Sequence, residues 1–474
     1  GGRTFQRCPG NHQQKPAVSG IGNIPGGVMK KLKDWFQEQK ITEVECIIPD
    51  LTGIARGKIM PADKFLRNEG LRMPEAVFLQ SVTGEWIPYE NLFDVDPAEI
   101  DMQLRPDPST TCVVPWVEEP TAQVIHDCIH HDGTPVELSP RNVLKRVLKK
   151  YEEIGLKPMV APELEFYLTK INKDPDYPLT PPVGRSGREE VTGQFYGIDA
   201  LNEFDPLFEE MYDFCEAQGL DIDALTHESG SAQMEINFNH GDPLRLADHV
   251  YLFKRTMRET SIRHKVYATF MAKPMEDQPG SSLHIHQSIL DVENQKNIFS
   301  NQRGQDSKKL RHFIGGLQKY LPLAMPMLGP NVNSYRRLVP DNSAPINVHW
   351  GHDNRTTGFR IPISEKQNRR VENRIAGADA NPYLAFATSL GCGLQGIIEK
   401  IEPTPPVKGS AYEHDFALPR SLEEALREMQ ESKVLQDLFT EKFVRVYCSL
   451  KEEEYNAFFR VISTWEREYL LLNV

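Results

Sequence analysis

Long apolar runs are absent from this chain of 474 residues. None approaches the roughly 20 residues that a membrane-spanning helix requires, which argues against an integral membrane protein. Positive charge is in deficit: 54 Lys and Arg face 67 Asp and Glu, for a net charge of −13. That balance argues against a nucleic-acid footprint, which needs a basic face. No Cys-x-x-Cys pair occurs, and the seven cysteines, Cys8, Cys46, Cys112, Cys128, Cys215, Cys392 and Cys448, are odd in number and scattered. They read as reduced structural thiols, so a reducing, cytoplasmic setting is expected. Residues 1–27 lack both an apolar middle and any periodicity, and read as a flexible extension rather than a signal peptide. There is no phosphate loop either. Gly53–Lys58 resembles one, but its glycine spacing is one residue short and no Ser or Thr follows Lys58. No internal repeat is visible. What remains, 26% charged and 39% hydrophobic residues, has the composition of a soluble globular enzyme whose length suggests two domains.

The informative stretch is 158–168, which alternates. In an extended strand Val160, Leu164, Phe166 and Leu168 point one way, while Glu163, Glu165 and Tyr167 point the other. Carboxylates two residues apart on one face repel unless a cation or proton lies between them. The same device recurs downstream. Gln233, Glu235, Asn237 and Asn239 oppose Met234, Ile236 and Phe238; His284, His286 and Ser288 oppose Leu283, Ile285 and Ile289; Arg370, Glu372 and Arg374 oppose Val371 and Ile375. Strands with one apolar face and one face of ligands or cations build a sheet curved around a polar lumen, its outer face packed on helices.

Glu163, Glu165, Glu228, Glu235, His284 and Glu372 make a mainly oxygen ligand set, suited to Mg²⁺ or Mn²⁺ rather than structural zinc. Arg337, Arg355, Arg360, Arg370 and Arg374 add fixed cations. Metals and arginines in one cavity are what phosphoryl transfer from ATP needs, because its transition state spreads charge over phosphate oxygens. A separate alternation of His126, Cys128 and His130 falls short of four closed zinc ligands, and reads as an exposed strand edge.

Coarser elements follow from pattern. Met29–Gln39 reads as a helix, Ile41–Pro49 as a strand, 50–53 as a turn and Arg56–Ile59 as the returning strand. Ser139-Pro140 marks a capped helix start. Asn172–Gly193, rich in Pro, Gly and charge, reads as an exposed loop. Ser421–Glu431 and the last forty or so residues have helical patterning and are expected on the outside.

Several blocks together resemble the glutamine synthetase family: Pro162-Glu-Leu-Glu165, His227-Glu228 with Gln233-Met-Glu235, Gly280-Ser-Ser-Leu-His-Ile-His286, Asn333-Ser-Tyr-Arg-Arg-Leu-Val-Pro340, Asn354-Arg355, Arg370-Val-Glu-Asn-Arg374 and Ala380-Asn-Pro-Tyr383. They stand in the family's order from about residue 40 to the C-terminus. The resemblance implies an α+β protein with an N-terminal β-grasp domain at 28–135 and a larger catalytic domain at 136–474. It implies ATP and at least two Mg²⁺ or Mn²⁺ ions, one on Glu165, Glu228 and Glu235, the other on Glu163, His284 and Glu372. Arg337, Arg374 and Gly280 would bind glutamate; His286, Ser288, Arg355 and Arg370 the nucleotide or its phosphates; Arg360 the transferring phosphate. The implied reaction passes the γ-phosphate to the glutamate side-chain carboxylate, and an amine attacks the acyl phosphate. The implied assembly is a homododecamer of two hexameric rings, each site closed by the neighbour's β-grasp domain.

Departures from the pattern bear on the amine. Where glutamine synthetases carry a Glu that helps deprotonate ammonium, this chain has Ser343; where they carry an ammonium-binding Asp, aligning Trp86 places Leu79. The chain therefore is similar to the γ-glutamylpolyamine and γ-glutamylputrescine synthetases of polyamine catabolism, and putrescine or spermidine is the expected amine. Leu79 would offer apolar surface, with Glu85 and Glu90 as acids farther out. Glutamine synthetase itself, or an inactive paralogue keeping only the assembly, are the alternatives. The tyrosine that is adenylylated in enterobacterial-type enzymes stands here as Phe416, so that regulation is not expected.

Overall fold

Residues 26–67, 70–88, 100–340 and 343–474 are described by the computed structural model of the chain. The first helix, Gly26–Glu38, leads into β1 (Glu43–Pro49), β2 (Ala55–Pro61), β3 (Leu71–Pro74), β4 (Asp101–Pro106), β5 (Cys112–Val113) and β6 (Thr121–Ile129). These strands form a mixed sheet in the order β2-β1-β6-β4-β3, with β5 paired to β6 and with β1 and β6 parallel. β1 and β2 are joined by a tight turn because the Asp50 carboxylate accepts from Thr52 N, Ile54 N and Arg56 Nε, at 2.9, 2.9 and 2.8 Å. Gly53 at φ +89 supplies the left-handed backbone this turn needs.

β6 overturns one expectation. It lies between β1 and β4, and His126 and Cys128 are 1% and 0% exposed, so this is an interior strand and not an exposed edge. His126 holds the Val124 carbonyl at 2.9 Å, and burial lowers its pKa to about 4. The six described cysteines are all buried, and none of them is in a disulfide.

The second sheet contains β7 (Leu156–Lys170), β8 (Ile222–His227), β9 (Gln233–Phe238), β10 (Val266–Thr269), β11 (Leu283–Asp291), β12 (Trp350–His352), β13 (Phe359–Ile361) and β14 (Val371–Asn373). Its order is β12-β13-β14-β11-β7-β9-β8, with β10 on β7. Pairing is antiparallel except between β12 and β13. The strands with alternating ligand faces, β14, β11, β7 and β9, are consecutive neighbours. Their apolar residues, among them Leu164, Phe166, Met234, Ile236, Leu283, Ile285 and Val371, are fully buried in the main core with the helices Pro140–Glu152, Pro243–Arg263, Lys308–Tyr320 and Pro382–Glu399. The last of these is apolar almost all round, and accordingly it is buried on all sides through most of its length. Pro140 begins its helix as expected, but the hydroxyl of Ser139 at the N-cap makes no capping bond. Residues 172–193 contain no regular element, and the C-terminal part is helical over Leu422–Glu431, Lys433–Phe439, Glu441–Phe459 and Thr464–Leu470.

The two sheets are joined by a buried charge cluster. Arg141, 1% exposed, donates to Asp107 at 2.7 Å and Asp127 at 2.5 Å from the first sheet's side, and to Asp248 at 2.9 Å on the helix Pro243–Arg263. Tyr383 donates to Asp248 at 2.6 Å. Breaking such a cluster by removing one partner costs about 3–5 kcal/mol, so it fixes the first sheet against the second. Among the described residues no helix is long and apolar enough to cross a membrane.

Candidate active site

Sheet register brings the polar faces into one row. Glu163 on β7 is opposite His284 on β11, Glu165 is opposite Glu235 on β9, and His286 is opposite Glu372 on β14, which is itself opposite Arg360 on β13. Glu228 follows directly after β8. Side chains directly opposite on one face stand close enough for their charges to interact strongly, so the row cannot be indifferent to protonation.

The two ends of the row differ electrically. Burial would raise the pKa of Glu163, but His284 Nδ1 at 3.4 Å and His286 Nε2 at 3.0 Å outweigh it and hold this carboxyl below its ordinary range. Glu372 is likewise favoured to ionise: burial acts against it, yet Arg374 and the two histidines bring its pKa to about 2. Arg374 Nη1 and Arg360 Nη1 donate to its two oxygens at 2.5 and 2.7 Å. At the other end, burial and then repulsion from Glu165 raise Glu228 to about 8. Glu235 is pushed well above 4.5 by burial and by repulsion from Glu163, Glu165 and Glu228. Carboxylates this crowded, with too few cations beside them, keep protons unless another cation replaces them.

Ligand atoms of Glu165, Glu228 and Glu235 lie within 4.8 Å of one another, as do those of Glu163, Glu235 and His284, and those of Glu163, His286 and Glu372. The donor chemistry and the spare proton affinity both fit divalent cations that prefer oxygen. Residues given no role by the sequence reading orient these ligands. Ser282 donates to Glu165 from N and Oγ, each at 2.7 Å, and its Oγ also meets His284 Nε2 at 2.9 Å. Gln233 Nε2 donates to Gly280 O at 3.0 Å and Asn237 Nδ2 to Glu235 at 3.1 Å. Ser282 could have been read from the same alternation, being two residues before His284.

The arginines are set by different means. Arg337 is buried, and both Nη atoms donate at 2.8 Å to the carbonyls of Ile375 and Arg374. Burial lowers its pKa to about 10. Gly280 admits this side chain, because a Cβ there would lie 2.5 Å from Arg337 Cγ. Arg374 Nη2 donates to Ser343 O at 3.3 Å, while Arg374 Nε and Arg360 Nε are buried and have no hydrogen-bond partner among the described residues. Those two N–H groups are donors left for a bound anion. Arg360 Nη2 also holds Asp353 at 2.5 Å, and Arg370 Nε donates to His286 Nδ1 at 3.1 Å. Ser288 is half-buried two residues along β11 from His286, and Arg355 is exposed on the turn after β12.

Against this background the family profile for "Glutamine synthetase, catalytic domain" matches residues 137–470. The chain belongs to the glutamine synthetase family. It is 34% identical over 457 residues to gamma-glutamylputrescine synthetase PuuA of Escherichia coli (strain K12), covering 94% of this chain and 95% of that protein. To glutamate–isopropylamine ligase of a Pseudomonas species it is 33% identical over 450 residues, with 92% and 96% covered. To the glutamine synthetase of Pyrococcus abyssi (strain GE5 / Orsay) it is 34% identical over 426 residues, with 88% and 90% covered. The solved structure of GmaS without ligand superposes with a TM-score of 0.77 at 26% identity, covering 93% of this chain and 99% of that one. The chain is thus an α+β ligase of a family whose members generally use ATP and divalent metals.

Within this glutamine synthetase framework one expected contact fails. Leu79 closes the core against its own chain and is 0% exposed, so its side chain presents no surface to a ligand. The apolar side chains that this region does expose are Val82 and Trp86, 55% and 52%, on the turn that also carries the exposed Glu85. Glu90 falls outside the described residues. Ser343 is exposed, at φ 56, and brings no carboxylate to the place where its carbonyl meets Arg374.

Proposed function

We propose that this protein joins the γ-carboxylate of glutamate to an alkylamine, at the expense of ATP, through γ-glutamyl phosphate. The reading is carried by a full ligand row together with Ser343, whose carbonyl meets Arg374 and which stands where the family resemblance leads one to expect a carboxylate. A divalent cation pair held by Glu165, Glu228 and Glu235 and by Glu163, His284 and Glu372 would neutralise the charge of the transferring phosphate.

The chain's own residues do the rest. Arg337 and Arg374 hold the glutamate, with Gly280 at its backbone. His286, Ser288, Arg355 and Arg370 hold the nucleotide. Arg360 is already turned into the site by Glu372 and Asp353, and its free Nε is the donor for the moving phosphoryl group. An oxygen of the γ-carboxylate attacks the terminal phosphorus and ADP leaves. The amine nitrogen then attacks the acyl carbon, phosphate leaves, and the amine proton passes to water or phosphate. Activation is needed because a carboxylate is a poor electrophile.

Ser343 is a poor partner for a small, strongly hydrated ammonium ion, whose desolvation a carboxylate would offset. An alkylamine instead gains about 0.8 kcal/mol per buried methylene, so a chain of about four gains about 3 kcal/mol, roughly a hundredfold in rate at low concentration. Val82 and Trp86 are the apolar groups its turn can offer to a neighbouring subunit in the ring assembly proposed for this family member. The names of two relatives, a putrescine and an isopropylamine ligase, support the same direction. Coupled ADP release with glutamate and a panel of amines tests it. Putrescine, spermidine or a similar alkylamine gives a higher kcat/KM than ammonium at equal concentration and pH; efficient glutamine formation with no turnover across the alkylamines would make this a glutamine synthetase.

A further inference from the structure

Beside the catalytic row, a cavity of about 620 Å³ opens between the turn His352–Thr356 and the segment Pro406–Ser410. The segment is held in place by three bonds: Val407 N donates to Trp350 O, Asn354 Nδ2 to Gly409 O and Ala411 N to Thr356 Oγ1, each at 2.8 Å. This fixing presents Lys408 and Arg355 to one cavity from two different parts of the chain. The other charged lining residues are already engaged. Asp353 accepts from Arg360 at 2.5 Å, and His352 Nε2 faces Asp306 at 2.7 Å. Arg355 and Lys408 are both exposed, and among the described residues neither has an ion pair or side-chain hydrogen bond.

Two uncompensated cations in one cavity of a chain with net charge −13 are set against the electrostatic trend of the whole molecule. A bound polyanion can be taken there without displacing any internal partner, so no desolvated ion pair must be broken first. The cavity is also wired to the reaction: Asp353 on its wall shares Arg360 with Glu372, at 2.5 and 2.7 Å. We propose that Lys408 is a nucleotide-binding residue of this enzyme, taking phosphate charge of the nucleotide jointly with Arg355. The proposal rests on the ATP-dependent ligase reading above and adds to it a residue from a segment that carries none of the family's sequence blocks.

The test is ADP binding, followed with a fluorescent ADP analogue, together with initial rates at varied ATP, for the parent protein and for Lys408→Glu, Lys408→Ala and Lys408→Arg. Lys408 is exposed, so these changes leave the fold intact. Reversal of one partly screened charge beside a phosphate is expected to raise the Kd for ADP and the KM for ATP about tenfold or more, and Ala about threefold. Lys408→Arg stays within about twofold of the parent, as do the KM for glutamate and kcat at saturating ATP in every variant, the pattern of lost uniform binding. Nucleotide parameters for Lys408→Glu equal to the parent's would overturn the proposal, and so would a matching rise in the KM for glutamate. A change confined to inhibition by inorganic phosphate, with ADP binding unaltered, would put a free anion in the cavity and also overturn it. A parent protein that binds no ADP would instead bring down the ligase reading itself.

Discussion

Replacing Glu228 by Gln should stabilise the metal-free protein and weaken its stabilisation by metal, a pair of opposite effects that separates a binding site from a merely strained corner. Burial and the Glu165 charge raise Glu228 from 4.5 to about 8. The folded state therefore binds a proton more tightly than the unfolded chain. The contribution to stability is nil below pH 4.5, becomes increasingly unfavourable as pH rises, and levels off above pH 8. At pH 7 the cost is about 3 kcal/mol, at about 1.4 kcal/mol for each pH unit above 4.5. Gln keeps the shape and removes the titration. Thermal unfolding followed by fluorescence, in EDTA and in excess Mg²⁺ at several pH values, measures both effects. In EDTA at pH 8, Glu228→Gln unfolds several degrees above the parent, and the gap closes toward pH 4.5. In Mg²⁺ the order reverses, because the parent keeps three carboxylate ligands and the variant two. Equal melting temperatures in EDTA at pH 8, or an undiminished shift with Mg²⁺, would refute the reasoning.

Two further predictions follow the same physics. Glu165→Ala removes a ligand that Ser282 and Gln233 hold in place, and should lower ATP-dependent turnover at least a thousandfold or so while the protein stays folded; near-parental activity would sink the two-metal reading. The C-terminal stretch exposes Phe459, Val461, Ile462, Trp465, Leu471 and Leu472, each at least 60%, more apolar surface than a monomer in water keeps uncovered. Light scattering should show an oligomer, and truncation after Arg460 should reduce its size; an active monomer would refute the proposed assembly.

The strands that form the site were legible because a period of two is a local property. Glu163 and Glu165 must share a face once residues 156–170 are extended, and likewise His284 and His286. Register was not legible, since which residue of β11 meets Glu163 depends on turns and packing far away in the chain. Burial was the weakest inference for the same reason. Leu79 lies near an exposed turn in sequence, yet its side chain fills the core, and the turn's surface belongs to Val82 and Trp86. His126 and Cys128 read as an edge only until β4 is seen to pair alongside β6. The Ser139 hydroxyl stays uncapped although its position is right, because a cap needs geometry as well as residue type. Ser282 shares the alternation of His284 and His286, but a hydroxyl is a weaker ligand than an imidazole, so the pattern alone does not single it out.

The central claim is that the glutamate carboxylate is itself phosphorylated before the amine arrives. Glutamate labelled with ¹⁸O in its γ-carboxylate, turned over with ATP and the best alkylamine of the panel, puts that claim to a direct test by mass spectrometry of the phosphate released. The account predicts that each amide formed sends one labelled oxygen into inorganic phosphate. Amide formation with unlabelled phosphate would contradict it.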